Sequence, residues 1–387
     1  MDNLKSEFLL SKEFTHLNHG SFGACPKPIF DDYQHWQLQL ERDPVDFITN
    51  KGLKQLEVAK QALGSFINCS ADDIVLTTNP TYAINIIAKS LKLEKGDEIL
   101  STNHEYGALD RTWNYYCNKK GARYVRQNIP IPLESKEQFI EHFWKGYTNR
   151  TKAIFISHLT SMSALIFPVK EICERAKELG LLTIVDGAHV PGHLPLDLQD
   201  LKADIYTGAC HKWLLTPKGC SFLYANKEVQ NDFDPVIISW GYEADVKGAS
   251  NFLDYHQQQG TRDYSAFLTI PAALNFRKQN SWEEVSRRAK QLILDNYEDL
   301  CSIFGTKPIC PVTNTFLGQM CSVPVPIQDP QALKNILFDT YKIEIPVFKL
   351  GEQVFLRLAT QAYVSQTDIE YLKESLIEIR DTTTLFE

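Results

Sequence analysis

The sequence predicts an α/β fold: a large domain around a mostly parallel sheet of seven strands, followed by a smaller C-terminal α/β domain. Three observations predict it. Short apolar runs alternate with helix-period segments from residue 73 to residue 224, the pattern of βαβ units whose sheet is covered on both faces. The alternation stops near Gly260–Arg262, where a long helical stretch begins. A shorter set of strand and helix patterns then runs to the C-terminus.

The elements follow in order. Asp73–Thr78 (DIVLTT) reads as a strand and Tyr82–Leu93 as a helix. Asp97–Thr102 is a strand and Leu109–Lys119 a helix; Ala122–Arg126 is a strand, with a helix near Lys136–Gly146. Lys152–Ser157, rich in Ile and Phe, is a strand, and Pro168–Leu179 a helix. Leu182–Asp186, Asp204–Gly208 and Cys220–Tyr224 are short apolar strands. The helical stretch covers Ala266–Phe304, and the last part reads strand (Met320–Val325), helix (Gln331–Tyr341), strand (Val354–Leu358), helix (Thr367–Ile379). The expected division is a segment 1–20 packing with the small domain, a large domain 21–262, and a linking helix with the small domain 263–387.

At 387 residues the chain is long enough for two or three domains. Hydrophobic residues at 43% and charged residues at 23% argue against disorder, fibres and coiled coils. No run of 18 apolar residues occurs, so no membrane span is expected. A net charge of −8 argues against nonspecific nucleic-acid binding. The opening MDNLKSEFLLSKEF lacks the pattern of a secretory signal. Nine cysteines without a CxxC pair read as reduced thiols in a cytoplasmic protein.

In an open parallel sheet, ligands bind beyond the carboxyl ends of the strands. The residues there are Thr78-Asn79-Pro80-Thr81, Asn103-His104-Glu105-Tyr106, Ser157 to Ser161, Asp186-Gly187-Ala188-His189 and His211-Lys212. Asn79-Pro80-Thr81 opens a helix, whose free N–H groups and positive dipole end suit a phosphate as well as an ordinary cap. No Walker motif or GxGxxG accompanies it, so a nucleotide is not its favoured owner. Asp186 ends the apolar strand LLTIVD, where a carboxylate needs a cation or donors. A protonated pyridine nitrogen or an ordinary salt bridge would serve. His189 either donates to the same ligand or is a loop histidine. Lys212 lies in CHKWLLTPKG between apolar strands. Desolvation there would lower its pKa and favour Schiff-base chemistry, unless the side chain snorkels out. Acid, lysine and phosphate cradle together are the parts of a pyridoxal phosphate site.

VDGAHVPGHLPLDL followed by TGACHKWLLTPKG resembles the class V aminotransferase family of pyridoxal-phosphate enzymes, fold type I, which includes cysteine desulfurases. LNHGSFGACPKPI, ERDPVDFI, ISHLTS, GTRDYSAF and IEIPVF…LRLATQAY resemble its isopenicillin N epimerase-like branch, whose pattern cysteine desulfhydrases and C–S lyases share. The resemblance implies that Lys212 carries pyridoxal 5'-phosphate and moves the proton at Cα. It sets Asp186 on the ring nitrogen, His189 on the ring hydroxyl and Tyr106 against the ring face. Asn79, Pro80, Thr81, Thr160 and His211 fall at the cofactor and its phosphate. Gly260 and Thr261 match a segment that reaches the phosphate of a neighbouring subunit, implying a homodimer. Arg357 matches the clamp for the carboxylate of an amino-acid substrate, with Asn18 and His19 nearby.

The chain departs from relatives at Pro80, at Ala209, where desulfurases have a phosphate-binding Ser, and at His158, where many have Asn. No cysteine lies between Cys321 and Arg357, where one desulfurase group carries its persulfide thiol. The resemblance therefore favours epimerisation at Cα or cysteine C–S lysis, with an aminotransferase, or a cysteine desulfurase or selenocysteine lyase, as the alternative. Two rivals stand outside the family. Asp186, His189 and His193, with His16 and His19, have a spacing that can bind zinc in a metallohydrolase, although Pro191 and Gly192 break the helix that would align them. The other is a non-catalytic scaffold that keeps the cofactor fold.

Overall fold

The structure is a computed structural model that describes residues 2–386. Seven strands form the main sheet: β1 (Ile74–Thr77), β2 (Glu98–Thr102), β3 (Arg123–Gln127), β4 (Thr151–Ser157), β5 (Leu182–Asp186), β6 (Ile205–Ala209) and β7 (Ser221–Ala225). Their order is β1-β7-β6-β5-β4-β2-β3. Only β7 runs against the rest, pairing antiparallel with β1 and with β6. The other neighbours pair in parallel, so six strands end at one edge.

The period of two along each strand divides the core between two faces. Leu76, Leu100, Ile154, Ile156, Val185 and Phe222 point into the larger cluster. Val75, Ile99, Phe155, Ile184, Ile205 and Leu223 point into the other, against helices Pro80–Ser90 (α1) and Gly107–Lys120 (α2). Strands buried on both faces read as unbroken apolar runs. That makes six of the seven legible in the sequence; the edge strand β3, RYVRQ, is half-exposed and shows itself only by its place between two helix patterns.

The second sheet is antiparallel, formed by β8 (Met320–Val325), β9 (Val347–Leu350) and β10 (Gln353–Ala359) in the order β9-β10-β8. Helices Trp282–Ile303, Pro330–Asp339 and Gln366–Thr382 belong to this C-terminal part. Strand β9 was not expected, because VFKL is half-exposed and has no continuous apolar run. The stretch expected as one long helix is three, Ser265–Leu268, Ile270–Gln279 and Trp282–Ile303. Ser281 breaks it in the left-handed conformation at φ +48°, without the glycine that normally signals such a turn.

Near the N-terminus, Thr15–His16 pairs in parallel with Ile343–Glu344, and Asn18 bridges to Ala359. The longest helices before β1 are Lys27–Arg42 and Gly52–Phe66. Among the described residues, no helix is long and apolar enough to cross a membrane.

Candidate active site

The strand ends open into a cleft of about 520 Å³. Asn79, Pro80, Thr81, Tyr106, Asp186, His189, His211, Lys212 and Arg357 all line it. Each arrives by a local rule. Asn79 caps α1 by accepting the Tyr82 N–H at 2.8 Å, and Pro80 fills the first helical position. The α1 N-terminus therefore faces the cleft with the Thr81 hydroxyl beside it. Tyr106 stands at the start of α2, 45% exposed. Just before it, buried Glu105 accepts Thr102 Oγ1 at 2.7 Å and Ser157 Oγ at 2.5 Å, tying the loop down.

Asp186 is the last residue of β5, register partner of Ser157 on β4 and Thr207 on β6. Its Oδ1 accepts the Ala188 N–H at 2.9 Å. Burial pushes its carboxyl up, while that N–H and Lys212 pull it down. A buried carboxylate at a cleft with so little compensation calls for a cation.

Lys212 follows β6 by three residues. Burial and the nearby Arg357 charge lower its amine to about 7, against the pull of Asp186. Its Nζ lies 3.1 Å from His189 Nε2. His211 donates through Nδ1 to the Cys220 carbonyl at 2.9 Å, which fixes the ring beside the cleft. Burial takes that imidazole down to about 4.

Arg357 reaches the cleft from β10. Its Nη1 donates to the Ser161 carbonyl at 2.5 Å and to Ser161 Oγ at 3.3 Å. Its Nη2 donates to Ser21 Oγ at 2.8 Å and Asn18 Oδ1 at 3.3 Å. The fifth donor, Nε–H, is buried without a partner. The side of Arg357 is so close-packed that a Cβ on Gly20 would stand 2.4 Å from Met320 Sδ.

Several expected residues lie elsewhere. Thr160 is fully buried in its own turn, where its hydroxyl pairs with Ser163 at 2.7 Å and accepts the Leu165 N–H at 2.9 Å. Ser157, Leu159 and Ser161 of that loop line the cleft instead. Asn18 and His19 stand behind the lining: Asn18 on Arg357, and His19 between Tyr363 Oη and the Lys212 carbonyl, both at 3.1 Å. Gly260 and Thr261 are exposed and are not part of this cleft. Ser21 and Phe22, which do line it, had no signal beyond their place beside Asn18-His19.

The zinc reading fails on geometry. His193 donates through Nδ1 to the His189 carbonyl at 3.0 Å and accepts the Gln319 N–H through Nε2 at 2.6 Å. His16 is held by Glu344 and by the Ser11 carbonyl. Among the described residues, no group of three metal-ligating side chains is placed to hold an ion. No cysteine lines the cleft. Cys321 is fully buried on β8, and burial holds its thiol far above the usual range.

A cradle, a buried carboxylate and an amine of lowered pKa face one volume, which fits a phosphorylated pyridine aldehyde. Residues 29–372 match the aminotransferase class-V family. The chain belongs to that family. Its cofactor is accordingly pyridoxal 5'-phosphate.

Isopenicillin N epimerase from Amycolatopsis lactamdurans is 30% identical over 97% of this chain and 98% of its own. A probable chloroplastic L-cysteine desulfhydrase of Arabidopsis thaliana is 26% identical over 94% of this chain and 82% of its own. Among solved structures, the apo cysteine desulfurase of Thermococcus onnurineus superposes with a TM-score of 0.83 at 20% identity, covering 99% of this chain and 98% of that one. The cystine C–S lyase C-DES, in complex with its product cysteine persulfide, gives 0.80 at 20% identity, covering 95% and 98%. At these identities the two structures speak for the fold.

Proposed function

We propose that this enzyme reacts an α-amino acid at Cα, as an epimerase or a cysteine C–S lyase of the isopenicillin N epimerase-like kind. The observation that carries the reading is the convergence of Lys212, Asp186 and Arg357 on one cleft. Pyridoxal phosphate, bound through the Lys212 amine, supplies an electron sink that acidifies the substrate Cα–H. The helix N-terminus at Asn79-Pro80-Thr81, with His211, would hold its phosphate. Asp186 would keep its ring nitrogen protonated, and His189 would face its hydroxyl.

The residues of the chain do the rest. Arg357 would meet the substrate carboxylate with a guanidinium held in place by Ser161, Ser21 and Asn18. With its amine free, Lys212 would take the α-proton. Tyr106, which lines the cleft, would cover the ring face. Two fates then follow from the same proton abstraction. Delivery of a proton to the opposite face of Cα, by water or a second acid, gives the epimer. Breaking Cβ–S instead expels the substrate's own sulfur as thiol or sulfide, and water converts the remaining enamine to pyruvate and ammonia. The cleft holds no thiol to accept sulfur, which speaks against the persulfide route.

The active unit on this reading is a homodimer in which Gly260 and Thr261 complete the partner's phosphate site. Their exposure supports it, as do the exposed apolar side chains of Ile238, Trp240 and Val246 just before them in the chain. Nine unpaired cysteines fit a cytoplasmic setting. The test is turnover across L- and D-amino acids and cysteine derivatives. Loss of optical activity, or pyruvate with sulfide, supports the reading. Keto acid formation with amino transfer to the cofactor, and neither of the others, overturns it.

A further inference from the structure

Three of the histidines with metal-like spacing, His19, His189 and His193, converge on an indole. Trp213, the residue after Lys212, is fully buried. The His193 ring lies on one side with centroids 3.9 Å apart and planes 31° off parallel, and the His19 ring lies 4.7 Å away at 55°. The Trp213 carbonyl accepts Arg277 Nη1 at 2.9 Å. Gly192, at φ +83°, leaves room where a Cβ would stand 2.5 Å from that carbonyl oxygen. The indole is thus fixed in position, and its Nε1–H points at His189 Nδ1 at 3.3 Å.

An indole N–H can only donate. His189 Nδ1 must therefore present a lone pair, and a neutral imidazole then carries its proton on Nε2. Burial and the charges of Lys212 and Arg357 keep this ring neutral. The Nε2–H faces Lys212 Nζ at 3.1 Å.

We propose that Trp213 is a positioning residue: its indole N–H fixes His189 as the Nε2–H tautomer, so that His189 offers a proton donor to the reacting nitrogen of Lys212. An N–H facing that nitrogen favours the free amine over the ammonium, and the free amine is the form that attacks an aldehyde. Without the indole N–H, His189 can move its proton to Nδ1 and accept from a protonated Lys212. The tautomer itself is independent of the cofactor. Its consequence for Lys212 rests on the function proposed above.

The test uses the full chain labelled with ¹⁵N-histidine, first without cofactor. The His189 signals are those absent from His189→Gln. The wild type should show Nδ1 bare and Nε2 protonated, and Trp213→Phe, which keeps an aromatic ring in the slot, should shift protonation toward Nδ1. In the cofactor-loaded enzyme, the pH midpoint of the visible absorption band should rise by roughly half a unit to one unit in Trp213→Phe. It should not move further when Trp213→Phe is added to His189→Gln. A wild-type His189 protonated on Nδ1 overturns the proposal even if the variant fails to fold. An equal shift in both backgrounds overturns it too. A chain that binds no cofactor would refute the proposed function and leave the nitrogen spectrum to decide this point.

Discussion

Replacing Arg357 by lysine keeps the positive charge and removes the geometry. The guanidinium has five N–H donors. Two on Nη1 are taken by Ser161 and two on Nη2 by Ser21 and Asn18, which leaves Nε–H buried and free in a cleft-lining side chain. Lysine has three donors on one rotating ammonium, so it cannot satisfy that bracing and also present a fixed donor to a carboxylate. A hydrogen bond to a charged group is worth roughly 1.5–3 kcal/mol. At 1.36 kcal/mol per tenfold, Arg357→Lys should lower kcat/KM by roughly 10- to 150-fold. The carboxylate is gripped equally in ground and transition states, so the loss should fall mainly on KM. Steady-state kinetics with the best substrate, alongside the cofactor content of the variant, measures this. An unchanged KM refutes the clamp, and so does a loss of cofactor in proportion to the loss of activity.

The other predictions rest on the same cleft. Asp186→Asn removes the anion for the ring nitrogen while keeping the shape. Breaking a buried ion pair costs roughly 3–5 kcal/mol, so kcat should fall by at least about 100-fold; a variant of near wild-type activity would remove Asp186 from the scheme. The Lys212 amine, held near 7 by burial and Arg357, is free above that pH and protonated below it. Capture of added pyridoxal phosphate by the apoenzyme, followed by its visible band, should therefore slow as pH falls through about 7. A midpoint near 10 would show an ordinary solvated lysine.

How much of this was legible in the sequence follows from what each signal depends on. Six strands of the large sheet were readable because both of their faces are buried, while the half-exposed edge strand Arg123–Gln127 showed only by its place in the alternation; the carboxyl ends of the sheet placed Asn79, Tyr106, Asp186, His211 and Lys212 at one edge. Residues brought in by non-local pairing were harder. Ser21 stands on Arg357 because Thr15–His16 pairs with Ile343–Glu344 over 300 residues away, and no local pattern encodes such a contact. Thr160 and Ser161 are neighbours of similar chemistry, and only the turn closed on Ser163 and Leu165 decides which faces the cleft. The histidine spacing from Asp186 to His193 was real, but its meaning depended on Trp213. That residue was in plain view beside Lys212.

The scheme turns on a covalent link between the cofactor aldehyde and one lysine among many. Hydride reduction of the holoenzyme converts that C=N bond to a stable amine, and peptide mapping then locates the pyridoxyl group. A single modified position, Lys212, is expected, with no visible band in Lys212→Ala. A label on another lysine, or an unaltered band in that variant, would contradict it.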